Sequence, residues 1–127
     1  MVWLISHWTV KPEGGHKRWV HAAVAVDDKI YSFGGRSSVT GDLPPGRMDI
    51  SMLDTVSFQW QVIQTTDSDP KAIPFQRVAH SAVASGPLVY IWGGTNNKDR
   101  CNTLFCFDTT THKWVWLVKP CQRGRNE

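Results

Sequence analysis

Apolar and polar positions come in short bursts along this chain, and one burst is written twice. Residues 21–35 run apolar (Ala22-Ala23-Val24-Ala25-Val26), polar (Asp27-Asp28-Lys29) and apolar again (Ile30-Tyr31-Ser32-Phe33), then end on Gly34-Gly35. Residues 80–94 repeat the sentence with Ser85-Gly86-Pro87 at the turn and Gly93-Gly94 at the end. Each copy predicts a β-hairpin, because short β-prone runs flank a turn of Asp, Lys, Gly or Pro. His21 and His80 are 59 residues apart, as are Gly34 and Gly93, so the copies align without a gap.

Two further strands are predicted after each hairpin, over residues 48–56 and 58–63 in the first copy and 103–108 and 113–118 in the second. Asp54 and Asp108 are 54 apart, as are Trp60 and Trp114. The shortfall of 5 against the glycine spacing lies in the loop after Gly35, as expected of a repeated unit with variable connections. An Arg-x-x-His opens both units, at Arg18–His21 and Arg77–His80, and Arg125 would open another. Trp8, on a short strand over residues 3–10, stands where a preceding unit's last tryptophan would fall. The linkers are polar and carry Pro44-Pro45-Gly46 and Pro70 with Pro74, and no stretch has the period of an amphipathic helix.

Composition adds bounds to this all-β reading. The 127 residues are 41% hydrophobic, enough for a packed core. Net charge is +3, too mild for the dense basic stripe of a nucleic-acid-binding domain. Three cysteines without a CxxC spacing favour a reducing compartment. Residues 2–5 are too short for a signal-peptide core, and no apolar run approaches the roughly 20 residues of a membrane span. The expectation is a soluble intracellular protein without a membrane partner.

A strand, a turn, Tyr-x-aromatic-Gly-Gly, a variable loop, Asp-Thr and then a tryptophan resembles the kelch repeat. Four strands and about 50 residues per unit are its usual dimensions. The resemblance covers nearly the whole chain and implies a kelch-type β-propeller. One blade would span residues 18–63 and a second 77–118, with a stray blade strand at 3–10 and the start of a next blade at 123–127. Each blade buries both faces only when neighbours stack on it. Gly34, Gly35, Gly93 and Gly94 would allow close backbone approach. Trp60 and Trp114 would fill the space between blades, and Tyr31 with Phe33, and Tyr90 with Trp92, should pack likewise. Propellers need about four to eight blades, so the expectation is the first two blades of a larger ring, a fragment or truncated product.

By this resemblance the chain is a protein-binding module and not an enzyme. The family resemblance implies a substrate receptor of a cullin-2 RING ubiquitin ligase, holding the carboxy-terminal tail of a target. Elongin B/C and cullin-2 would be partners, although the adaptor-docking segment is not visible here. A link with chromatin and meiotic recombination is a weaker implication, and cytoplasm and nucleus are the expected locations. The alternatives are a scaffold for chromatin or cytoskeletal partners and, behind it, a propeller enzyme, which would need ligands converging near the mouth that neither repeat supplies. In kelch rings the loops after the double glycine and before the first strand lie towards one mouth. Arg36, Arg18 and Arg77 would stand there, with Ser38 and Asn96 on the same loops, as candidate contacts for a carboxylate. Bracing of adjacent blades is the favoured role for Arg18 and Arg77, and Arg36 is the candidate for ligand contact.

Other chemistry is weaker. His21 and His80 match in the repeat, which favours a structural role at the strand entry, and no residue keeps the spacing of a nucleophile–base set. Cys101, Cys106, His112 and Cys121 lack the tight paired spacing of structural zinc, and Cys106 sits between phenylalanines on a predicted strand. Neither glycine pair continues into a phosphate loop. No cofactor is expected.

Overall fold

A computed structural model describes residues 14–65 and 70–118 of the chain. The strand expected over 3–10 and the next blade expected over 123–127, with Trp8, Cys121 and Arg125, lie outside the described residues.

The elements in chain order are β1 (Arg18–Trp19), β2 (Ala22–Val26), β3 (Lys29–Phe33), β4 (Arg36–Ser37), β5 (Ile50–Asp54), β6 (Gln59–Val62), a 3-10 turn (Pro70–Ala72), β7 (Ser81–Ser85), β8 (Leu88–Trp92), β9 (Leu104–Asp108) and β10 (Lys113–Val118). Strands β2-β3-β5-β6 form one antiparallel four-stranded meander, and β7-β8-β9-β10 form another. Among the described residues there is no α-helix. This is the all-β arrangement of two propeller blades in a ring that is not closed. Sequence reading missed one feature, the two-residue ladder of β1 with β4, which pairs Arg18 with Ser37 and Trp19 with Arg36. Two residues are too few to leave a periodic signal.

The repeated Asp-Thr has a local explanation. Asp54 Oδ1 accepts from the amides of Val56 and Ser57 at 2.8 and 3.2 Å, closing the turn between β5 and β6. Thr55 then donates from both its amide (2.9 Å) and its hydroxyl (2.6 Å) to Asp28 O, in the neighbouring hairpin turn. Asp108 and Thr109 do the same in blade two, reaching Thr110, Thr111 and Pro87 O. Each blade thereby ties its two turns together at one end. Carboxylates bonded to amides favour the charged form, and the Val56 and Ser57 amides hold the Asp54 carboxyl below its ordinary range.

The core lies between the blades. Directly opposed residues in an antiparallel pair share a face, so Tyr31 joins Val24 and Met52, and Phe33 joins Ala22 and Ile50, on the side of blade one that meets blade two. Blade two answers with Val89 beside Ala84 and Phe107, Ile91 beside Ala82 and Phe105, and Trp114 opposite Phe107. Phe33 meets Phe107 and Trp114 edge-on, at centroid distances of 5.7 and 6.0 Å. Tyr31, Phe33, Ile50, Val89, Ile91, Phe105, Phe107 and Trp114 are all buried. Tyr90 and Trp92, expected to pack as Tyr31 and Phe33 do, occupy the opposite side of blade two, where Trp92 is 50% exposed. Trp60 is half-buried, with the Gly14-Gly15 backbone close against its side chain. The motif residues behave alike only where a second blade covers them.

Candidate functional site

Strand direction places two kinds of connection at opposite ends of the blades. The tied turns after β2, β5, β7 and β9 lie at one end. The long loops after the glycine pairs and the linker into blade two lie at the other, which is where the candidate ligand residues fall.

At that loop end the three arginines have different fates. Arg18 is held by Asp49, its Nη2 and Nε lying 2.7 and 3.1 Å from Oδ2. Arg77 is wholly buried. Its Nε donates to Phe75 O at 3.0 Å and Nη1 to Gly93 O at 3.3 Å, and the guanidinium stands 5.4 Å from the centre of the Phe105 ring. Arg77 therefore works as packing and has no surface to offer a ligand. Arg36 is half-buried, and among the described residues its guanidinium makes one long contact, Nη1 to Gly41 O at 3.5 Å. Ser38 is exposed, with its amide donating to Lys17 O at 3.0 Å.

One glycine of each pair packs against His80. A Cβ on Gly34 would stand 2.8 Å from Arg77 O and 3.0 Å from His80 Cε1, and Gly34 has φ +65°, so only glycine fits. Gly94 packs on the other side of His80, where a Cβ would lie 2.9 Å from His80 Cβ. The His80 Nε2 lies 2.9 Å from Phe33 O, so the neutral ring donates across the blade boundary. Burial, with Arg77 adding to it, pushes the pKa of His80 down to about 4. His80 is a strut between blades. His21, its counterpart in the repeat, is exposed.

One constellation invites a catalytic reading and fails it. His16 Nδ1 lies 3.0 Å from Ser51 Oγ and 3.8 Å from Asp49 Oδ2. A triad needs serine and carboxylate on different ring nitrogens, whereas both partners here face Nδ1. Ser51 is also buried and accepts from the His16 amide at 2.9 Å. The set fastens the chain before β1 onto β5. Burial pushes the Cys106 thiol pKa up, with Asp108 adding to the effect, which suits a core thiol and not a nucleophile. Among the described residues no group of three His, Cys, Asp or Glu side chains could hold a metal ion.

A cleft of about 450 Å³ opens between the loop following blade one's glycine pair and its counterpart in blade two. Leu43, Pro44, Pro45 and Phe75 form an apolar wall, and Asn96, Lys98 and Arg100 line the other side. Of the residues anticipated from sequence, Asn96 belongs here, while Arg36, Arg18, Arg77 and Ser38 do not line it. Lys98 and Arg100 were not anticipated, because this loop is where the two copies differ most in length and no repeat position singles them out.

Comparison with known proteins agrees with this architecture. The KLHDC2/KLHL20/DRC7 Kelch-repeats domain matches residues 1–125. Kelch domain-containing protein 3 of Homo sapiens is 38% identical over 112 residues, covering 84% of this chain and 29% of that protein. Kelch-like protein 40 of Xenopus tropicalis is 30% identical, covering 97% of this chain and 19% of that protein. The N-(sulfonatooxy)prop-2-enimidothioate sulfolyase of Thlaspi arvense is a more distant relative, 26% identical over 93% of this chain and 33% of its own length. The chain thus spans about a third or less of the length of these relatives. Two blades with matched turns, a glycine-lined seam and a domain-wide match have one reading: the chain belongs to the kelch-repeat family.

Proposed function

We propose that this kelch module recognises protein substrates for a cullin-2 RING ubiquitin ligase, working with elongin B/C, by holding the carboxy-terminal tails of its targets. The observation that carries the reading is Arg36. Alone among the three arginines expected at the ring's mouth, it is neither buried nor ion-paired among the described residues. A guanidinium with one long backbone contact can turn both forks to a carboxylate, and bidentate hydrogen bonding fixes direction as well as strength. Ser38, exposed two residues on, offers a hydroxyl beside it. Such a receptor acts in the cytoplasm and nucleus, and a chromatin scaffold is the competing role.

The test uses the protein at its full natural length. Peptides with free carboxy termini bind in pull-downs and their amidated versions do not; equal binding of both rejects tail recognition. Arg36→Ala weakens binding at least tenfold without moving the melting temperature. Affinity purification recovers elongin and cullin-2, and recovery of chromatin proteins without them favours the scaffold.

A further inference from the structure

The loop that carries Arg36 and Ser38 is closed at its base by one side chain from the linker into blade two. The ladder of β3 with β5 ends at Phe33 opposite Ile50, and one more bond follows it, from the Gly34 amide to Asp49 O at 3.0 Å. Beyond that bond the two chains part, and Gly35 O and the Asp49 amide must find partners elsewhere. The carboxamide of Gln76 serves both. Its Nε2 donates to Gly35 O and its Oε1 accepts from the Asp49 amide, each at 3.1 Å. Gln76 is 2% exposed, so neither bond competes with water. A primary amide offers donor and acceptor side by side, as a peptide unit does, and so extends a ladder between strands that have separated.

Both ends of this clasp lead to Arg36. Gly35 is its immediate neighbour, and the Gly35 amide donates to Arg77 O at 2.9 Å while its carbonyl accepts from Gln76. A Cβ on Gly35 would stand 2.7 Å from Trp19 O, so the peptide before Arg36 is gripped on three sides. At the other end, Asp49 receives Arg18 on its carboxylate, and Arg18 and Trp19 pair with Ser37 and Arg36 in the β1–β4 ladder. The Arg36 guanidinium has only its long contact with Gly41 O among the described residues. Where Arg36 stands is therefore set by its backbone and not by its tip.

Given the reading of Arg36 as the contact for a tail's carboxylate, on which this inference rests, we propose that Gln76 is the positioning residue for that capture. It fixes the base of the loop, so that the guanidinium meets its ligand without the loop first being ordered. Ordering avoided is binding free energy retained, and a bidentate pair tolerates little misplacement. Gln76 acts through Gly35 and Asp49 and needs no contact with the ligand.

A double-mutant cycle on the full-length protein tests this, with a peptide ending in a free carboxylate and its amidated twin as ligands. Q76M keeps the length of the side chain and removes both hydrogen bonds. Q76E keeps the acceptor for the Asp49 amide and loses the donor to Gly35 O. Each should raise the Kd for the free-terminus peptide roughly tenfold and shrink its preference over the amidated one. Introduced into R36A, neither should weaken binding further. A merely structural role would instead lower the fraction of protein able to bind, seen as a smaller bound amplitude at unchanged Kd. The inference is overturned by wild-type Kd values in Q76M and Q76E, or by losses that multiply in the double variants. Loss in R36A without loss in the Gln76 variants overturns the role of Gln76 alone. An R36A protein with wild-type affinity overturns the reading of Arg36 and takes this inference with it.

Discussion

Blades one and two carry nearly the same wording, yet corresponding residues meet different surroundings. Phe33 is 0% exposed and Trp92, its repeat partner, is 50% exposed. His80 is a buried strut and His21 lies in the open. Gly34 is pressed against Arg77 O, whereas a Cβ on Gly93 would meet nothing nearer than Cys101 O at 3.8 Å. Each pair has one member at the seam between the blades and one beyond it. The difference shows that the repeat encodes two half-interfaces per blade, and that burial follows from a neighbour's presence rather than from the motif itself.

The largest way to break the comparison is truncation at one repeat position. Phe33→Ala removes a ring locked between Phe107 and Trp114 and should cost about 3–5 kcal/mol in urea unfolding. Trp92→Ala, at the uncovered position, should cost less than about 1 kcal/mol. Equal losses would mean that something covers the outer side of blade two in solution.

Acid should act next most strongly, through His80. Its folded pKa of about 4 lies below the ordinary 6.5, so the unfolded chain binds the extra proton between these values. The stability contributed by the neutral ring is complete above about pH 6.5 and is lost as pH falls towards 4, by about 3 kcal/mol at most. A His80→Gln variant should flatten that part of a pH–stability curve measured by denaturant titration. An unchanged slope would remove His80 as its source.

Glycine replacement should discriminate between the seam and the open side. Gly34→Ala meets backbone oxygen as well as an unfavourable φ and should cost roughly 2–3 kcal/mol, against about 1 kcal/mol for Gly93→Ala, which carries the φ cost alone at +70°. Smallest, and alike in both blades, is the loss of a turn carboxylate. Asp54→Ala and Asp108→Ala should each lower the melting temperature slightly and by the same amount. Unequal values from thermal melts would show that the two turns, alike in hydrogen bonding, differ in something else.

The strands, the hairpin turns and the crowding at Gly34, Gly35 and Gly94 were legible in the sequence because each has a physical signature: alternation, turn chemistry or small size, although Gly93 proves uncrowded. Trp114 could be read as an interblade filler for the same reason. What could not be read was which copy lies at the seam, since Tyr31 and Tyr90 look identical until one is stacked upon. Arg77 illustrates the limit, because an arginine before a strand has the same spelling whether it braces the core or faces a ligand. Lys98 and Arg100 were illegible for a different reason. They sit on a loop without a counterpart of equal length, where the repeat offers nothing to compare.

The Thr55 and Thr109 ties fasten each blade at the end remote from the cleft. A substitution or an insertion among residues 36–47 or 95–102 is therefore mechanically insulated from the fastening that sets strand register. Such a scaffold lets its long loops diversify while its frame stays constant, so that related rings can change that end without relearning how to fold.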